Sequence, residues 1–417
     1  MLARLNQTYI ALFREYPFLL RAAIVTGAGQ IAFALVNIYA LPVYLVQDLH
    51  LPGVALGATS ATFLVCETLL KFPMGRLSDR VGRKPLVVLG PLLICLNPVL
   101  VVAIPPRLWP LLFLLRAADG VGAAALWSPL FAMVGDEVAD RSRAAAMSVM
   151  NTVYVAAVAA ATVVGAFAAH LAGNDRFPFY MASALMLASA GTAYWGLPRT
   201  IAAHGSSPGA DPDSPPDAQA DDPAEAPPAV KFPLALVLLI GLLMSMGVLM
   251  LSNFIILYLR LDMGLSPLHV GVLVACVATP VLLLGLPLGH AADRWGTALA
   301  VRASLAASAF SMWLIPFCRT VPAFGAVAVL LIASHILGTP AWLALVSQLA
   351  PASRRGGLMG MVATAEGVGA VLGPLLAGWL WDFRHPYIFY GSAVSLTAAA
   401  AVAAVTLRAG QPRATAE

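Results

Sequence analysis

A chain of 417 residues that is 60% hydrophobic and only 11% charged lies far outside the range of soluble globular domains. Its net charge of +4 requires no nucleic-acid partner, because basic loops on one face of a membrane produce the same excess. There is no Gly-rich phosphate loop followed by Lys-Ser/Thr, no serine-centred elbow and no His-rich metal cluster. Their absence argues against an enzyme, direct ATP use, a metal or a cofactor.

Residues 1–21 come first, with Arg4, Arg14 and Arg21 among apolar and aromatic positions. They read as a cytoplasmic helix lying on the membrane surface. Ala32-Phe33-Ala34 resembles a signal-peptidase site, but the apolar run continues well past it, which predicts an uncleaved first helix. Six spans are expected near 22–45, 54–75, 86–105, 109–134, 145–171 and 178–197. Six more are expected near 232–259, 268–289, 298–317, 322–348, 356–381 and 386–407. A run of about 20 apolar residues crosses a ~30 Å bilayer core at ~1.5 Å per residue, so the expected class is an all-α membrane protein.

Residues 200–231 break this pattern. Pro, Ala and six acids, from Asp211 to Glu225, predict a disordered cytoplasmic linker between the halves 22–199 and 232–407, with a tail at 408–417. Cys66, Cys95, Cys276 and Cys318 have no ligand spacing and read as small apolar side chains. If the N-terminus is cytoplasmic, that face holds 17 Lys and Arg residues and the opposite loops hold 5. Both termini are therefore expected in the cytoplasm, in a cell inner membrane.

Gly75-Arg76-Leu77-Ser78-Asp79-Arg80-Val81-Gly82-Arg83-Lys84-Pro85 is a charged turn between spans two and three. Gly75, Asp79, Arg80 and Gly82 recur as Gly289, Asp293, Arg294 and Gly296, at a constant offset of 214 residues. Arg143 and Met147, before span five, recur as Arg355 and Met359 before span eleven, at an offset of 212. Two nearly equal offsets indicate duplicated halves, a plan common in secondary transporters.

With these motifs the chain resembles the major facilitator superfamily over essentially its whole length apart from the linker, and it looks like a drug:proton antiporter of twelve helices. The resemblance implies two pseudo-symmetric six-helix bundles and a cytoplasmic latch. By that likeness Asp79 sits against the start of span eleven near Gly356-Gly357, where unpaired N–H groups favour a carboxylate. Arg83 would pair with Asp136, or with Glu137 beside it. The second copy is weaker, with Gln348 at the place of Asp136 and no Arg after Gly296. Leu115-Arg116-Ala117-Ala118-Asp119-Gly120-Val121-Gly122 is similar to a second family motif, whose arginine is linked with proton coupling. In proton-driven antiporters the position of Asp119 is usually glutamine. The Gly-Pro motif of drug exporters in span five is Val163-Val164-Gly165 here, without proline. Gly373-Pro374 stands in span eleven instead, where its glycine stripe reads as close helix packing.

Ionisable groups inside spans are costly and need partners. Arg116 and Asp119, at i and i+3, share a helix face and either neutralise each other statically or form a proton or substrate site facing a central cavity. Glu67 and Lys71 lie one turn apart in span two, at a depth similar to Glu366 in span eleven. Either Lys71 pairs with Glu366 across the halves, or it pairs with Glu67 while Glu366 finds another partner. The resemblance implies a cavity lined by spans one, four, seven and ten. Its candidates are Gln30, Asn37, Asn253, Tyr258, His335 and Trp342, with Met244, Met246, Met250 and Phe254 as a soft wall. The expected activity is alternating-access, proton-coupled export of small amphipathic molecules by a monomer. Asp119 would be the first proton carrier, and Glu67 or Glu366 the alternatives. Uptake or facilitated passage of a metabolite is the second reading, and a sensor without flux the third.

Overall fold

A bilayer core offers no partners for backbone N–H and C=O groups, so a chain this apolar crosses it as helices that satisfy themselves. The structure is a computed structural model that describes residues 12–198, 234–280, 296–349 and 355–407. All regular elements among the described residues are helical. The first half contains α1 (Pro17–Asp48), α2 (Gly53–Val81), α3 (Arg83–Ala103), α4 (Leu111–Glu137), α5 (Arg141–Ala172) and α6 (Phe177–Gly196). The second contains α7 (Leu234–Leu261), α8 (Pro267–Pro280), α9 (Thr297–Phe317), α10 (Val321–Gln348), α11 (Gly357–Phe383) and α12 (Tyr387–Thr406). Ten of these are long and apolar enough to cross a membrane. The other two are α6, which is richer in Ser, Tyr, Trp and Gly, and α8, whose expected continuation lies outside the described residues. The linker 200–231, the tail 408–417, Asp293 and Arg294 also lie outside them.

The halves repeat one packing plan. α1 packs on α6, α3 on α6, α3 on α4, and α1 on α5. The corresponding pairs, each shifted by six helices, are α7 on α12, α9 on α12, α9 on α10, and α7 on α11. The connecting turns repeat as well. Gly82 ends α2 at φ 94°, and Gly296 precedes α9 at φ 80°. Both angles fall in the left-handed region, where a Cβ clashes. This explains a glycine at both copies of the motif.

The seam between the halves runs along α2 and α11. A side chain on Gly57 would collide with the Pro374 carbonyl, and one on Gly378 with the Gly53 backbone. These close approaches lie at the end of the bundle opposite the Gly75–Lys84 turn. Along the seam, a Cβ on Gly367 would stand 3.2 Å from Thr68. At the turn's own end, hereafter the basic face, Gly75, Gly357 and Gly360 have nothing within 4 Å of a notional Cβ. Among the described residues the α2–α11 seam is thus tightest at the opposite face and looser at the basic face. On the far side of α11, Gly369 and Gly373 bring its backbone onto α7 at Leu242 and Met246, so the glycine stripe is close packing on two neighbours.

Candidate functional site

Three polar clusters stand out within this frame. The first lies inside the first bundle, where α1 carries a π-helical stretch at Leu35–Ala40. Such bulges re-aim side chains, and this one contains Asn37. The Arg116 guanidinium donates to Asp119 Oδ2 at 2.7 Å and to Asn37 Oδ1, and it lies over the Phe63 ring at 4.8 Å. Asp119 also accepts from Asn97 Nδ2 at 2.7 Å, and Asn97 donates to the Leu115 carbonyl. Arg116 and Asp119 are 1% and 5% exposed, so the charges are neutralised by geometry rather than by water. Asp119 faces a crevice of about 10 Å³ among α1, α3 and α6, bordered by Asn37, Pro98 and Met186. It points into its own bundle, which is the static neutral pair of the two readings and not the site facing a central cavity. Asn97 went unnoticed in the sequence, although a lone Asn-Pro inside the run Leu92–Leu100 is a detectable irregularity.

The second cluster is in the second bundle. Trp342 of α10 donates its indole N–H to Glu366 Oε1 of α11 at 2.7 Å. Gly241 of α7 makes room for both, since its Cβ would lie 3.3 Å from Glu366 and 3.5 Å from Trp342. The first bundle holds a matching trio. Trp127 of α4 lies 3.8 Å from a notional Cβ on Gly29 of α1, and its ring stacks edge-on with Tyr154 of α5 at 5.3 Å. Gly29, Trp127 and Tyr154 precede Gly241, Trp342 and Glu366 by 212, 215 and 212 residues. The same niche thus holds a phenol in one half and a carboxylate in the other. Neither Trp127 nor Tyr154 was picked out from sequence, where aromatic residues in apolar runs look like packing. Gln30 lies buried beside Tyr154, with its Oε1 unpartnered among the described residues.

The third cluster closes the opposite face. Asp382 of α11 accepts from the backbone N–H groups of Gly53 and Val54, at 2.5 and 3.0 Å, so a carboxylate of one half caps the start of α2 in the other. Arg260 of α7 makes a bidentate pair with Asp175, between α5 and α6, at 3.1 and 2.9 Å. Asn253, at a break in α7, donates to Ser60 of α2 at 2.5 Å.

At the basic face Arg83 reaches Asp136 at 3.1 Å, Asp79 at 2.5 Å and Ser78 at 2.6 Å. Asp79 pairs with Arg83; the contact the family resemblance implied, near Gly356-Gly357, borders residues 350–354, which lie outside the described residues. Arg80 is exposed at the end of α2. In the second half the equivalent of the Arg83–Asp136 contact is uncharged, with Thr297 donating to Gln348 at 3.3 Å. Lys71 pairs with Glu67 at 3.0 Å, so the pairing within α2 is realised and the inter-half pair with Glu366 is not. Tyr258 is packed between Phe324 and Phe389 inside the second bundle, and Met250 and Phe254 are likewise buried, so these three do not line an open cavity. His335 is exposed on α10, with its ring 3.4 Å from Thr339.

Two helical bundles of one packing plan, joined along α2 and α11 and carrying ionisable groups inside their spans, form the architecture of a secondary membrane transporter. The chain belongs to the Major Facilitator Superfamily, whose family profile matches residues 22–251 and 237–417. It is a multi-pass transporter of that family, not an enzyme. Multidrug resistance protein 1 of Bacillus subtilis (strain 168) is 24% identical over 353 residues, covering 84% of this chain and 87% of that protein. Multidrug resistance protein 2 of the same organism is 25% identical over 353 residues, covering 82% and 84%. A crystal structure of a bacterial homolog to the human lysosomal transporter Spinster, in an inward-facing and unoccupied conformation, superposes with a TM-score of 0.74. It is 14% identical and covers 95% of this chain and 97% of that one, a likeness of fold alone.

Proposed function

We propose that this protein exports small amphipathic molecules in exchange for protons, with Glu366 as the exchanging carboxylate. The observation that carries this reading is the isolation of Glu366. It is a half-buried acid of α11 facing α7 and α10, held by one neutral indole, with no cation within 4 Å among the described residues. Asp119, by contrast, is locked between Arg116 and Asn97. A group can couple a proton gradient to movement only if the two conformations bind the proton differently. Glu366 is suited to that condition because one neutral indole and no counter-ion hold it, whereas Asp119 is fixed between Arg116 and Asn97. Substrate would compete with the proton for Glu366, while the Trp342 ring, packed inside the second bundle, lines no open cavity and contributes its N–H to the carboxylate. The efflux direction is supported by the relatives named multidrug resistance proteins.

The excess of Lys and Arg on the basic face supports a cytoplasmic placement of that face, so the looser end of the seam would face the cytoplasm. Arg83, Asp136 and Asp79 would then rearrange into the latch that closes it, with Asp79 passing from Arg83 to the start of α11. Proteoliposomes containing a lipophilic cation as probe substrate test the coupling. An imposed pH gradient should drive flux in the wild type and in Asp119→Asn, but not in Glu366→Gln. Wild-type pH-driven flux in Glu366→Gln would remove Glu366 from the proton path. Flux that follows the substrate gradient alone, in every variant, would favour facilitated passage of a metabolite.

A further inference from the structure

A groove of about 720 Å³ runs down the outer face of α6 where that helix meets α1 at the basic face. Small side chains form its floor, Ala184, Ala188, Gly191 and Thr192 among them, and Arg21 and Trp195 form its walls. The Arg21 stem lies flat on Gly196, with its Cδ 2.9 Å from a notional Cβ there, and the Trp195 ring lies 3.2 Å from the Cβ position of Gly191. Two cations cap this end of α6, Arg21 lining the groove and Lys84 on the next carbonyl outside its lining. Arg21 donates to the Gly196 carbonyl at 3.0 Å, and Lys84 to the Leu197 carbonyl at 2.7 Å. Each uses one donor on the last carbonyls of α6 and keeps the rest. Among the described residues neither has a carboxylate within 4 Å. Trp195 is 82% exposed beside them.

We infer that this groove is a binding site for an anionic phospholipid, with the phosphate of its headgroup between Arg21 and Lys84 and one acyl chain along the floor of α6. Capping the end of α6 explains why cations sit there. It does not explain a shallow groove of small residues running from Arg21 along α6 toward the membrane interior. Charge complementarity decides the occupant, because a basic pocket beside spans at a membrane surface selects acidic headgroups. Indole and phenol rings favour the headgroup level, where Trp195 and Tyr194 stand exposed. The inference does not depend on which molecule is transported or in which direction.

Native mass spectrometry of the purified full chain tests it, using phosphatidylglycerol and phosphatidylcholine of identical acyl chains. The wild type should retain phosphatidylglycerol preferentially. R21Q with K84Q should weaken that retention about 30-fold, roughly 5-fold for each cation, and leave phosphatidylcholine unchanged. A188W fills the slot while leaving both caps in place, so it should weaken both lipids even if the double variant fails to fold. Brominated phosphatidylglycerol should quench wild-type tryptophan fluorescence more than that of W195F. Equal retention of the two lipids by the wild type, or equal quenching in W195F, would overturn the site. Displacement of the lipid by inorganic phosphate would show an anion site without a lipid slot and would overturn the assignment too.

Discussion

Removing one partner of a buried ion pair differs in kind from removing both. Arg116 is held by Asp119 and Asn37, and nearly every polar atom of the cluster has a partner. The Arg116 Nε is the unpartnered exception among the described residues. Asp119→Ala leaves a guanidinium uncompensated in the bundle, which costs about 3–5 kcal/mol where a buried pair is broken. Replacing Arg116 by Leu and Asp119 by Ala together removes both charges and should recover most of that loss, since apolar replacements of buried pairs are often neutral. Thermal unfolding in detergent should therefore rank wild type and double variant close together, with Asp119→Ala clearly below both. Equal loss in the single and double variants would mean that packing by the arginine stem, and not charge balance, is what α4 needs. Asn97→Leu should fall between them, because it removes one donor to the charged carboxylate, at about 1.5–3 kcal/mol, and leaves the Arg116 pair intact.

At the scale of helices, the bilayer makes the sequence readable, because it imposes a length and forbids unpaired backbone. The expected span 178–197 coincides with Phe177–Gly196 to within one residue at each end. The i, i+3 spacing of Arg116 and Asp119 is legible for the same reason: it needs only one helix. What joins separate helices is not. Asp382 and Gly53 are 329 residues apart and share no periodic signal. Tyr258 shows the related failure, because helical phase places a side chain on a face but cannot say that Phe324 and Phe389 already fill it. The duplicated glycine carries a further prediction. At φ 94° Gly82 occupies backbone space that costs other residues roughly 1–3 kcal/mol. Gly82→Ala should lower the thermal midpoint, whereas Gly75→Ala, with open space around its Cβ, should not. Matched midpoints for the two would reject this backbone reading of the motif.

For the whole molecule, the contacts that join the opposite face matter because the proposed alternating-access cycle would have to break them. Asp382 on the α2 N-terminus, Arg260 on Asp175 and Asn253 on Ser60 each link one half to the other, and in that cycle all would be given up before that face opens. A carboxylate at a helix N-terminus contributes about 0.3–1 kcal/mol when exposed and up to ~2 kcal/mol when partly buried. A change of ~1.4 kcal/mol moves an equilibrium tenfold. Asp382 is exposed, so Asp382→Ala should raise the fraction opened at this face by about two- to fivefold, and Asp382→Ala with Arg260→Gln should raise it further. Spin labels on exposed Leu108 and Phe317 would read the opposite face, and labels on exposed Val81 and Leu299 the basic face, in a chain whose four native cysteines are replaced. The opposite-face distances should gain a longer component as the basic-face distances gain a shorter one, because a rocking pair of bundles cannot open one side without closing the other. Lengthening at one face with no change at the other would mean that Asp382 only tethers the end of α11. Unaltered distances at both faces would show that the Gly53–Gly378 and Gly57–Pro374 packing holds this state without the charged groups.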